Sequence, residues 1–214
     1  VTLTSILPGC SNNQEKSKEN VQVDSSKVIT DIEVPPDSVI NPPDTPHLNF
    51  NRDSILNNAK EIVSYLKAKN FEKLSKYVSP TRGLRFSMES YIQPGDQVFF
   101  PAGVVGLWTN SKKYKWGEDE AGEMNGTFRE YYSKYVYNKD FAGKAQVGVN
   151  KVLRGGSNCL VNTDKVYSEY INVDFFIQST QPGAELDWST LRLVFTQENG
   201  NWYLRHIIHD HWCI

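Results

Sequence analysis

Three histidines, His206, His209 and His211, crowd the far end of the sequence and are the side chains best suited to metal or proton chemistry. In an extended strand His209 and His211 share one face and His206 takes the other. Two imidazoles at that spacing can chelate a metal, but a site needs a third ligand, and the sequence locates none. We therefore expect no metal and no cofactor, with the histidines hydrogen-bonded or at the surface. Asp187, Arg192, His209 and Asp210 are polar groups set into otherwise apolar stretches, and on a buried sheet face such groups must be paired. They can orient a ligand. They can also support acid–base work, with Asp187 or His209 as the base, or form an Asp–Arg or His–Asp link that holds two strands together. Glu169 and Asp174 alternate to opposite faces and cannot form a carboxylate dyad. Trp116, Trp188 and Trp212, with Tyr114, Tyr167 and Tyr170, carry large apolar faces with polar tips; most are expected in the core and one or two beside a recess. The candidate ligand pocket is thus Trp116, Asp187, Trp188, Arg192, His209, Asp210 and Trp212. The acidic run Glu118-Asp119-Glu120 lacks the alternating spacing of a calcium loop and reads as a solvated turn. No phosphate-cradling glycine loop, GxSxG elbow or HExxH pair is present, and Gly155-Gly156 reads as a turn.

The elements that would position these groups follow from periodicity. Ile55, Ala59, Ile62 and Leu66 recur at helical spacing, widened by Leu56 and Val63, and predict a helix over 53–69 with Asn51 or Asp53 as its cap. Asn70 breaks it. Phe71, Leu74 and Val78 predict a short second helix that stops at Ser79-Pro80, giving a helical hairpin. A further helix is predicted from Phe128 to about 138, with Thr127 and Glu130 at capping-box spacing. Residues 166–177, 191–197 and 202–212 are rich in β-branched and aromatic side chains and read as strands. Asn199-Gly200 is a type I′ cue, so the last two strands should pair antiparallel. Helices followed by a long-stranded antiparallel sheet predict an α+β fold.

Composition divides the chain. All 26 aromatic residues lie beyond position 46. Between Ser11 and Pro46 there are seven acidic side chains against three lysines, and five prolines that favour extended backbone. Such a stretch cannot bury enough apolar surface to offset its ordering entropy, so residues 11–46 are expected to be a disordered acidic tether and residues 47–214 a single domain. With 20 basic against 18 acidic groups, that domain has no electrostatic footprint for nucleic acid. The first ten residues are an uncharged apolar run ending Leu7-Pro8-Gly9-Cys10. The run resembles the bacterial lipobox, although Pro8 departs from the usual small residue, and the resemblance makes residues 1–10 the end of a signal peptide and Cys10 a lipid attachment site. The implied location is the extracytoplasmic face of a cell membrane, with the membrane as partner through the anchor. Cys159 and Cys213 then remain as two buried thiols or as a disulfide, which an oxidising compartment permits.

The segments Val78-Ser79-Pro80-Thr81-Arg82-Gly83-Leu84-Arg85-Phe86, Asp187-Trp188-Ser189-Thr190-Leu191-Arg192-Leu193-Val194-Phe195 and Ile207-Ile208-His209-Asp210-His211-Trp212 are similar to uncharacterised lipoproteins of Gram-positive bacteria with an NTF2-like (cystatin-like) domain. Tyr114-Lys115-Trp116-Gly117, Glu130-Tyr131-Tyr132 and Tyr135-Val136-Tyr137 fit the same pattern. The resemblance implies a cone in which a strongly curved antiparallel sheet wraps the helical hairpin and leaves a pocket between them. That family usually has Thr where this chain has Cys213, so the resemblance implies no family-wide disulfide. The NTF2-like superfamily hosts enzymes, transport factors and binding modules alike, and the expectation for this chain is a domain that binds a small molecule, peptide or envelope component without turning it over. The rivals are an isomerase, dehydratase or hydrolase, and an interaction module that forms a homodimer through the outer sheet face. An open cone interior into which both Arg192 and His209 point would favour the enzyme.

Overall fold

The computed structural model describes residues 48–119, 122–181, 183 and 186–213; the expected signal peptide, the Cys10 attachment site and the tether lie outside the described residues. Helix α1 (Arg52–Lys67) starts where Asn51 accepts a hydrogen bond from the Ser54 amide at 3.0 Å, and it buries Ile55, Ala59, Ile62, Val63 and Leu66 on one face. The chain turns through Lys69, which has a φ of 55°. Asn70 then caps the short helix α2 (Phe71–Ser75) by accepting from the Lys73 amide. The second helix ends before the predicted Val78, because Val78 is drawn into a parallel bridge with Leu204.

Eight strands follow: β1 (Leu84–Ser87), β2 (Gln97–Phe99), β3 (Lys113–Asp119), β4 (Gly122–Thr127), β5 (Gln146–Val149), β6 (Ile171–Ile177), β7 (Ser189–Glu198) and β8 (Asn201–His211). Helix α3 (Pro101–Gly106) joins β2 to the β3–β4 hairpin. Helix α4 (Phe128–Tyr131) begins at Thr127, whose side chain and Glu130 form the expected capping box. It continues as a π-helical turn (Tyr132–Val136), and this wider winding turns Tyr131, Tyr132, Tyr135 and Val136 all inward. The short helices α5 (Phe141–Lys144) and α6 (Thr163–Val166) complete the set. Residues 166–170, read from the sequence as strand, are instead the end of α6 and a turn.

The main sheet has the order β2-β1-β8-β7-β6-β5, antiparallel throughout except for the parallel pair β1–β8. The α+β class and the mostly antiparallel sheet agree with the sequence reading. The wholly antiparallel, strongly curved form does not: no strongly curled sheet is found, and β1 enters the sheet parallel to β8 because more than a hundred residues of intervening chain carry the backbone around between them. Asn199 and Gly200 both have positive φ, 51° and 79°, and make the tight β7–β8 turn that their types require.

Strand alternation gives the sheet two different faces. On one, Leu84, Phe86, Val173, Phe175, Leu191, Leu193, Phe195, Leu204 and Ile207 join the buried stripe of α1 in a single apolar cluster. Each fully buried Ile or Leu there contributes roughly 2 kcal/mol. The other face carries Ser87, Asn172, Asp174, Thr190, Arg192, His206 and Asp210, all buried, with only a small apolar group, Ile92, Tyr170, Val194 and Ile208, among them. The irregular chain between β5 and β6 and the loop after β1 cover this polar layer: Leu153 donates its amide to Asp174, and Asn162 exchanges hydrogen bonds with the backbone of Ile92.

Candidate functional site

The polar layer centres on Arg192. Register sets Asp174 directly across from it on β6, and its guanidinium donates from Nε to Asp174 Oδ1 at 2.9 Å and from Nη2 to Oδ2 at 2.8 Å. The same Nη2 lies 3.5 Å from Asp210 Oδ2, and Arg154 from the covering segment donates to Asp210 Oδ1 at 3.0 Å. Two arginines and two aspartates thus neutralise one another inside the fold. Burial pushes the Asp210 carboxyl up, opposed by Arg192 and Arg154. Burial works to lower the Arg192 pKa, but the Asp174 carboxylate, followed by Asp210, overrides it and holds the guanidinium charged. This is the strand-linking role: it engages both carboxylates, while Arg192 Nη1 is left without a hydrogen-bond partner.

A second chain runs through His206. Its Nδ1 lies 3.1 Å from the Tyr167 hydroxyl, its Nε2 2.7 Å from Ser87 Oγ, and Ser87 in turn meets Asp96. Asp96 also accepts from the Gln93 amide at 2.9 Å. Ser87 has one proton, and with Asp96 ionised it goes to the carboxylate; Nε2–H must then donate to Ser87, and Tyr167 to Nδ1. That direction is the reverse of a nucleophilic serine, whose hydroxyl donates to histidine. Burial, with Arg85, Arg205 and Arg192 adding to it, holds His206 far below its usual pKa and keeps the ring neutral.

Burial also raises the Asp96 carboxyl from its ordinary 3.8 to about 6, against the lowering effect of Ser87, the Gln93 amide and Arg85. A raised pKa means that the folded chain holds this proton more tightly than the unfolded one. The resulting stability is full below pH 3.8 and is lost as the pH rises through about 6. Asp96→Asn keeps an acceptor oxygen and removes the charge. It should stabilise the domain at pH 7.5 by up to about 3 kcal/mol and by clearly less at pH 5, as read by urea denaturation at the two pH values.

The other sequence-derived residues do not converge on one recess. His209 lies on the opposite face from Arg192, since Arg192 pairs with Ile208; its ring sits 4.9 Å from His211 and edge-on to Tyr135. Burial, then His211 and Lys139, hold its pKa well below the ordinary value. Asp187 precedes β7 and accepts from the Ser179 hydroxyl, the Thr180 amide at 3.0 Å and the Thr180 hydroxyl at 2.6 Å. Those bonds, Ser179 first, hold its carboxyl below the usual carboxylate range, which makes it a weak base. Trp116 is core: it stacks on Tyr131 at 4.1 Å and donates to the Gly126 carbonyl. Trp188 donates to the Gly156 carbonyl, and a Cβ at Gly155 would lie 2.5 Å from its ring, so glycine is required there. Trp212 is half-buried just past β8, and Cys159 and Cys213 are joined by a disulfide with Cα atoms 5.8 Å apart. Among the described residues, no three His, Cys, Asp or Glu side chains form a group that could hold a metal, and no helix is long and apolar enough to cross a membrane.

An open cleft of about 430 Å³ lies elsewhere, between the start of α1, the end of the helical hairpin and the β7–β8 turn. Asn51, Asn58, Lys76, Tyr77, Asn201 and Trp202 line it, with Tyr203 beside them. Trp202 is held edge-on by Phe50, their ring centres 6.3 Å apart, and Tyr77 donates its hydroxyl to Glu61. Sequence reading marked Asn51 as a cap and Asn199-Gly200 as a turn, but nothing local brings the two together. Comparison with known proteins yields no family model, no curated protein and no solved structure that matches this chain.

Proposed function

We propose that this chain is a lipid-anchored extracytoplasmic lipoprotein whose folded domain binds a small polar ligand, a saccharide or short peptide, in the α1/β7–β8 cleft without turning it over. The observation that carries the reading is the lining of that cleft. Amide side chains offer donors and acceptors, Lys76 a charge, and Trp202 a supported aromatic face, which is the mixture that binds ring-bearing polar molecules. Asp187, one of the groups that acid–base chemistry would call on, is spent on structural bonds to Ser179 and Thr180. Helices packed on one face of a mostly antiparallel sheet are the layering that the NTF2-like reading of the domain calls for. The Leu7-Pro8-Gly9-Cys10 motif and the acidic stretch after it support the anchor.

Titration of the full chain with N-acetylglucosamine oligomers and with short alanine peptides, followed by tryptophan fluorescence and calorimetry, tests the reading. One class should bind saturably, and Trp202→Ala should weaken it at least about tenfold, the loss of one aromatic contact in a pocket. Expression with Cys10→Ser, which should release the chain from the membrane fraction, is the matching test of the anchor. Failure of both ligand classes, or an unchanged affinity in Trp202→Ala, overturns the cleft as the site.

A further inference from the structure

On the polar face of the sheet, away from the Arg192–Asp174 pair, lie two arginines, Arg85 and Arg205, that form no ion pair among the described residues. Arg85 on β1 is in parallel register with His206 on β8. The register shift between Val194 and Phe195 adds Arg205 to β8 as a bulge residue next to His206, the register partner of Arg85. Arg205 donates from Nη1 to the Gly83 carbonyl at 2.9 Å. Its Nε is buried without a hydrogen-bond partner, as is the Nε of Arg85 and the hydroxyl of Thr196 on the same face. Among the described residues the Arg85 side chain makes no hydrogen bond or ion pair, and Arg205 has no carboxylate within 4.0 Å. The acids nearby are already spent: Asp96 on Ser87 and the Gln93 amide, Glu198 on Ser79, Thr81 and Arg82.

Half-buried guanidiniums are ordinarily paired, because five donors and a full charge are costly to leave without acceptors. Here burial, with the like charges of Arg85 and Arg82 and against the raising effect of Tyr167 and Glu198, holds Arg205 below its ordinary pKa, and the two guanidiniums repel. The domain as a whole is nearly neutral, so this is a local concentration of charge rather than part of a general basic surface. An anion seated on both guanidiniums would relieve the repulsion and supply the missing acceptors. The Tyr167 hydroxyl, which reaches the same His206 ring, is a further polar group at its edge.

We propose that Arg85 and Arg205 form an oxyanion site that takes a phosphate group. A tetrahedral phosphate presents enough acceptors for two planar forks, whereas a single carboxylate satisfies one. The phosphate comes either free or as the headgroup of an anionic lipid or phosphodiester polymer, and the two sources share this chemistry. The site is separate from the Trp202 cleft, and its failure leaves the cleft reading intact.

The test is a thermal-shift and calorimetric titration of the full chain with inorganic phosphate against sodium chloride of equal ionic strength, and a flotation assay with phosphatidylglycerol vesicles against neutral phosphatidylcholine vesicles. Phosphate should bind saturably and raise Tm where chloride does not. Arg85→Gln and Arg205→Gln should each weaken it at least tenfold, while Trp202→Ala leaves it unchanged. Should either glutamine variant fail to fold, Arg85→Lys and Arg205→Lys keep the charge and lose the fork, and a severalfold weakening is expected. Vesicle binding that free phosphate competes away, lost in the same variants, identifies a headgroup as the source. Phosphate and chloride acting alike on the wild-type chain, with no preference for anionic vesicles, overturns the proposal. So does phosphate binding that survives every arginine substitution.

Discussion

Arg192→Met should cost the domain about 3–5 kcal/mol of stability, the largest effect expected of any single substitution in the polar layer. The substitution preserves much of the side-chain volume, so the loss is not one of packing. It strands two carboxylates. Asp174 loses all three of its guanidinium bonds, and Asp210 is left with Arg154 alone, in a layer where Asp174, Arg192 and Asp210 expose at most 1% of their surface. The urea midpoint at neutral pH measures the loss. The companion variant Arg192→Met with Asp174→Leu removes both members of the closest pair, and much of the stability should return, because well-packed apolar groups often replace a buried ion pair without penalty. A loss below about 1 kcal/mol in the single variant would mean that water or local rearrangement already solvates these carboxylates.

Removing the disulfide should have the second largest effect. Cys159 and Cys213 are 54 residues apart in sequence, and in the chain-entropy account a loop of that size stabilises the fold by about 4 kcal/mol. Cys159 belongs to the segment that covers the polar layer, and Cys213 follows the central strand β8, so the bond pins the cover to the sheet. Neighbouring hydrogen bonds, Ser157 Oγ to the His211 carbonyl and the Asn158 amide to the Cys213 carbonyl, share that task, and a measured loss of about 2–4 kcal/mol is therefore expected. Melting of the Cys213→Ser variant, and of the wild-type chain with and without reductant, should give the same drop in Tm. If reduction leaves Tm unchanged, the cover is held by its hydrogen bonds alone.

The parts of the fold that sequence made legible are those coded locally. The Ile55-Ala59-Ile62-Leu66 stripe produced α1, the Thr127–Glu130 pair produced the start of α4, and Asn199-Gly200 produced the β7–β8 turn, because caps, periodicity and positive φ act within a few residues. The strands β1, β2 and β5 are three or four residues long, too short for alternation to register, and β1 finds its partner in β8 only through the tertiary fold. The same limit governs the polar residues. Arg192 and Asp210 stand out as polar groups in apolar strands, yet nothing in the sequence ties Asp174 to them, because that pairing depends on the β6–β7 register. Ser87, Asp96 and Arg205 were invisible as a group because the loops and bulge that assemble them leave no mark in local composition.

The strand order has a consequence for how the molecule must be made. The strand Asn201–His211, last in sequence among the described residues, occupies an interior place in the sheet, with the strand Leu84–Ser87 on one side and Ser189–Glu198 on the other. Until Asn201–His211 has been synthesised, the Leu84–Ser87 and Gln97–Phe99 ribbon has no neighbour to join, and the backbone groups along both flanks of the gap stay open to wrong partners. A premature stop codon in that stretch would not fray an edge. It would split the sheet in two and leave a polypeptide for quality-control proteases rather than a shortened but serviceable domain.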